Sequence, residues 1–143
     1  MRLTDDSVLW GPPIYVEQAL PATNDLSQPL VFFSGYKAVQ VTAVRYTFTA
    51  SAAVGNRRLR IAMRGSTGNG IQFINSTNVA AGVLKEAMFT NAVPFGPSVG
   101  ITIQTCIAFP VMREPQALEV GAYLQLAGDA VSEGTVWFTA WLR

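Results

Sequence analysis

The chain has 143 residues, of which 50% are apolar and only 13% charged, with a net charge of +1. That length and composition suit one folded domain, exclude a largely disordered chain, and leave no global field to draw it onto nucleic acid or a membrane surface. It has no histidine and one cysteine, Cys106, which removes the commonest general base, the commonest metal ligand, an internal disulfide and a cysteine zinc cage.

The first residues, Met1 to Asp6, lack the basic-then-apolar layout of a secretory signal. No apolar run approaches the ~20 residues of a membrane helix. A cytoplasm-like compartment is therefore expected, with Cys106 reduced and serving as a small buried hydrophobe.

Residues 1–34 read as an extended arm. Pro12, Pro13, Pro21 and Pro29 break any helix or long strand. Between them stand Trp10, Ile14, Tyr15, Val16, Leu20 and Leu26, too apolar for a solvated tail. The arm is expected to lay these side chains on a surface, either that of its own domain or that of a neighbouring subunit. Phe32 and Phe33 close this segment and are further candidate anchors.

Residues 35–143 read as the folded domain, and the pattern is β throughout. Val39, Val41 and Ala43 alternate with polar residues, and the parity then switches to Val44, Tyr46 and Phe48. Such a switch predicts a bulge near Ala43–Val44. Gly55-Asn56 predicts a hairpin corner into the next strand. In that strand Leu59, Ile61 and Met63 face one way and Arg58, Arg60 and Arg64 the other. Gly65 to Gly70 predicts a turn, Ile71–Ile74 a short strand, and Val83–Thr90 either a strand or a helical turn. Gly100–Phe109 alternates through Ile101, Ile103, Thr105 and Ile107. Tyr123, Leu124 and Leu126 suggest another short strand. The last stretch sets Val136, Phe138, Ala140 and Leu142 against Trp137, Thr139 and Trp141, apolar on both faces. It is therefore central in a stack or covers a contact with another protein. Short strands at this spacing, with no amphipathic helix, predict an all-β antiparallel sandwich of the jelly-roll kind.

No motif brings catalytic chemistry. The glycine-rich run 65–70 lacks a Gly-Lys-Ser/Thr ending and a following helix, so it reads as a hairpin loop rather than a phosphate loop. Arg57, Arg58, Arg60 and Arg64 cluster within eight residues, and Arg58, Arg60 and Arg64 form a basic stripe on one face without interleaved aromatics, so a solvated or salt-bridged sheet face is expected rather than a phosphate contact. The carboxylates Glu114, Glu119, Asp129 and Glu133 fall in loop-like positions and are expected to be solvated. Serine and threonine have no histidine partner, and neither Lys37 nor Lys85 sits in a serine–lysine motif. Asn75-Ser-Thr77 matches a glycosylation sequon, which carries no weight without a secretory signal. No catalytic, cofactor or metal residue is assigned, and no enzyme activity is expected. The low charge, with fifteen aromatic residues spread along the chain, points instead to a surface covered by partners in a homo-oligomer or lattice.

Val41-Thr-Ala-Val-Arg-Tyr-Thr-Phe-Thr-Ala50, followed by Ser51-Ala-Ala-Val-Gly55-Asn-Arg-Arg-Leu-Arg-Ile61, resembles a recurrent pattern in small virion proteins of tailed phages. Phe109-Pro110 and Leu118-Glu-Val-Gly121-Ala-Tyr-Leu-Gln-Leu126 resemble its later turn and strand, so the likeness covers residues 36–143. The resemblance implies a structural β-sandwich of the virion, most like a head decoration (cement) protein. The expected partners are then the major capsid protein and further copies of this chain, with a trimer favoured. Membrane and nucleic acid are not expected as partners. The interface is expected at Trp10, Ile14, Tyr15, Phe32, Phe33, Trp137 and Trp141. A tail, adaptor or fibre component, with Trp137 and Trp141 as a glycan platform, is the alternative.

Overall fold

The computed structural model describes residues 12–22, 30–33, 35–65, 70–91, 102–113 and 115–142. Their strands are β1 (Ile14–Ala19), β2 (Leu30–Phe32), β3 (Tyr36–Thr49), β4 (Arg57–Gly65), β5 (Gly70–Val79), β6 (Leu84–Thr90), β7 (Thr102–Cys106), β8 (Val111–Arg113), β9 (Pro115–Tyr123) and β10 (Ala130–Leu142). Alternation dictates them. Along β4, Leu59, Ile61 and Met63 are fully buried while Arg58 and Arg64 are exposed, the period-2 signature of a sheet with one face covered.

Two sheets result. The first runs β1-β10-β3-β6-β7, with β8 on the free part of β3, and the second runs β2-β9-β4-β5. The antiparallel pairs are nested: β4 with β5, β3 with β6, β2 with β9 and β1 with β10. This is one long two-stranded ribbon rolled up on itself, the jelly-roll sandwich that the strand spacing predicts. β7 and β8 are additions between β6 and β9, and β7 joins β6 in parallel.

The inner faces make a single core. Val41, Val44, Tyr46, Phe48, Val136 and Phe138 of the first sheet meet Leu59, Ile61, Met63, Leu118 and Val120 of the second. Each large apolar side chain withdrawn there contributes about 1.5–3 kcal/mol. Phe138 is packed edge-on by both Phe33 and Tyr36, at ring centroid distances of 5.0 and 5.7 Å. Tyr46 spans the core from the first sheet to the second. Its hydroxyl lies 2.6 Å from the carbonyl oxygen of Gly121 and 2.8 Å from that of Arg60, and accepts the Arg60 N–H at 3.0 Å. Burial pushes this phenol well above its ordinary range.

The parity switch in β3 is a bulge, located at Thr42. Trp137 pairs with Ala43 and Phe138 with Val41, so Thr42 is the extra residue, and its hydroxyl donates to the Trp137 carbonyl at 3.0 Å. Val83–Thr90 resolves to strand, and the strand beginning at Gly70 runs on to Val79. β10 lies between β1 and β3, so both its edges are paired; its inner face joins the core and its outer face carries Trp137 and Trp141.

Four expectations are corrected. Gly55-Asn56 is not a hairpin corner, because β3 and β4 belong to different sheets; the chain crosses the end of the sandwich there. A Cβ on Gly55 would come within 2.7 Å of the Leu126 side chain. Leu124–Leu126 is not strand. β9 ends at Tyr123, and Leu124 takes a φ of 58°, opening a turn closed by the Asp129 carboxylate. Cys106 is exposed rather than buried, being on the outermost strand of its sheet. Asp129 and Glu119 are buried rather than solvated.

Asp129 explains how that end is sealed. Its carboxylate takes the Arg57 Nε–H at 2.8 and 2.9 Å, the Ser51 N–H at 2.7 Å and the Leu126 N–H at 2.7 Å. Arg57 Nη2 donates to Ser51 Oγ at 3.0 Å and to the Ala53 carbonyl at 2.6 Å. Both charged side chains are wholly buried. Burial works to raise the Asp129 pKa, but the Arg57 guanidinium and the two N–H groups outweigh it and hold the carboxyl below its ordinary value.

Candidate functional site

The structure separates the seven anchor residues expected from sequence. Trp10 lies outside the described residues. Phe33 is fully buried in the chain's own core against Phe138. Ile14 sits at the margin, 39% exposed on the edge strand β1. Phe32, 62% exposed, faces outward from the second sheet.

The remaining three converge on the outer face of the first sheet. Trp137 and Trp141 alternate out of the core with Phe138 and Ala140, and both are half-buried. Four residues along a strand places them roughly 14 Å apart. Tyr15 fills the interval: it pairs across to Thr139, diagonal to both tryptophans at about 7–8 Å between backbone positions. Tyr15 is 66% exposed. Glu17 pairs with Trp137 and Thr135 with Ala19, so the patch has a polar border. An aromatic row of this kind can bury apolar surface against a flat partner or stack on sugar rings.

A different arrangement occupies the outer face of the second sheet. Arg58, Arg60 and Arg64 of β4 stand in one column, as alternation requires. Beside them on β9, Tyr123 pairs with Arg58, Gly121 with Arg60, Glu119 with Ala62 and Ala117 with Arg64. On the other side Ile74 pairs with Arg60, Gln72 with Ala62 and Gly70 with Arg64. Ala62, Ala117, Gly70 and Gly121 form a low floor from which the arginines rise. Glu119 holds Arg64 at 2.5 Å and lies 3.9 Å from Arg60. Arg60 also donates to Gln72 at 2.7 Å. These groups line a pocket of about 210 Å³.

Sequence reasoning missed two features of this face. Glu119 is drawn in by register, facing Ala62 midway between two arginines. Tyr123 and Phe32 supply aromatics beside the stripe from other strands, which alternation within β4 alone does not reveal. Among the described residues no three carboxylate or cysteine side chains gather into a metal-binding group.

No protein-family model matches the chain, and no curated protein matches it in sequence. The structure of the infectious bursal disease virus Gx strain contains a chain similar over 92% of this one and 43% of its own length, at 11% identity and a TM-score of 0.29. This chain thus spans less than half of that one, and a likeness of that size leaves fold and role to be argued from the strands and side chains above.

Proposed function

We propose that the chain is a structural component of a virion, a head decoration (cement) protein that binds the major capsid protein and further copies of itself, with a trimer favoured. The observation that carries this reading is the nested rolled-ribbon topology, an architecture used by viral capsid domains as well as lectins; it is an argument from fold, so the contact surface has to supply the rest. The Tyr15–Trp137–Trp141 row supplies a flat, aromatic face suited to lasting contact. The role is one of contact rather than chemistry, exercised at the capsid surface by a protein made in the host cytoplasm.

Quantitative mass spectrometry of purified particles against the major capsid protein tests this. A ratio near one, or hundreds of copies, is expected. About a dozen copies would move the assignment to a tail, adaptor or fibre component, and absence from particles would overturn it. The contribution of the arm is tested by removing residues 1–11, which deletes Trp10 and leaves β1 and β2 in place; weaker particle attachment with unchanged melting is expected.

The aromatic row also favours a second reading, a host-surface glycan-binding module. Tyr15 bridges the two tryptophans into a platform long enough for more than one sugar ring. A glycan array without hits would dismiss it, whereas hits lost in Trp137→Ala would support it.

A further inference from the structure

We propose that the outer face of the second sheet binds single-stranded nucleic acid, with Arg58, Arg60 and Arg64 on phosphates and Tyr123 and Phe32 as stacking partners for bases. The proposal does not depend on the virion reading. The whole chain carries a net +1, yet three arginines meet a single carboxylate, Glu119, among the described residues of this face. Among the described residues this face thus carries a local excess of positive charge, which is where a polyanion is drawn.

The shape of the face agrees. Ala62, Gly121, Ala117 and Gly70 keep the floor low between and beside the arginines, so an extended chain can lie along the β4 column. The column from Arg58 to Arg64 is roughly 20 Å long. All three cations are arginines, whose planar fork pairs bidentately with phosphate oxygens. Arg58 is exposed, and no ion pair reaches it among the described residues. Arg64 is half exposed beyond its contact with Glu119.

The aromatics point to bases rather than to phosphate alone. Tyr123, 43% exposed, stands directly opposite Arg58 at one end of the column. Phe32, 62% exposed, shares a row with Ala117 and Arg64 at the other end. Guanidiniums with exposed aromatic side chains on the same face are the components by which sequence-tolerant binders hold single strands. Glu119 cancels one charge, so binding is expected to be modest and strongly salt-dependent.

The test is fluorescence anisotropy of a labelled oligothymidine of about 20 nucleotides, longer than the ~4–16 that such a module covers, titrated with the full chain at several salt concentrations. Two to three neutralised phosphates predict a slope of about −1.4 to −2.1 for log affinity against log salt. Arg58→Ala should flatten that slope by about 0.7. Tyr123→Ala should weaken binding about tenfold. Both side chains are exposed, and unchanged melting of each variant checks that the fold is intact. No anisotropy change at low salt, or equal affinity in the Arg58→Ala/Tyr123→Ala double variant, would overturn the proposal. Heparin binding without oligonucleotide binding would also overturn it, in favour of an acidic saccharide.

Discussion

β4 carries four arginines, and a single step along the strand separates two different physical situations. Arg57 points inward at the end of the sandwich and is sealed with Asp129. Arg58, Arg60 and Arg64 point outward, where Glu119 engages the latter two from β9. The residue types are the same; strand parity decides which cation is sealed against a counter-ion and which can be offered to a partner. Removing either member of the sealed pair leaves a charge stranded in the core, while on the open face water takes up what the partner releases.

The largest expected effect lies at the sealed end. Asp129→Ala leaves Arg57 buried without its counter-ion and should cost about 3–5 kcal/mol in urea unfolding. Tyr46→Phe, which touches the backbone of Arg60 from within, removes the hydroxyl that satisfies Arg60 and Gly121 and should cost about 1–3 kcal/mol. Acid gives the next contrast. The Asp129 carboxyl titrates below its ordinary value of 3.8 in the folded chain, so the unfolded chain takes up its proton first. Its stabilisation is complete above that ordinary value and is lost as pH falls through the lower, folded one. Melting temperature should therefore drop on acidification below about pH 4, and Asp129→Asn should remove this component of the drop. Smallest of all is Arg64→Ala on the open face, expected within about 1 kcal/mol of the parent. A large loss there would break the contrast between the two regions.

Much of the sheet pattern was legible in the sequence because alternation is local. It put Arg58, Arg60 and Arg64 on one face, Leu59, Ile61 and Met63 on the other, and a bulge within a residue or two of Thr42. What depends on partners far along the chain was not legible. Asp129 reads locally as a turn residue, since its buried partner Arg57 is 72 positions away. Gly55-Asn56 has hairpin chemistry, yet the strands it joins lie in different sheets. Tyr123 meets Arg58 only because β9, not β3, is the neighbour of β4. The aromatic row followed the same logic: Trp137 and Trp141 share a face by parity, but the place of Tyr15 between them comes from the pairing of β1 with β10.

The rolled ribbon also fixes a timetable for synthesis. The β4·β5 tip can pair as soon as Val79 has emerged, and β6 can then add to β3. β1 cannot dock until β10 has been made, about 120 residues later, an interval of roughly 6–24 seconds at ~5–20 residues per second. Leu20, buried in the finished core, and Val16, packed against it, must wait through that interval without their final cover. β1 is thus synthesised well before the strand it docks on, and the nascent chain is most exposed to wrong partners during that delay.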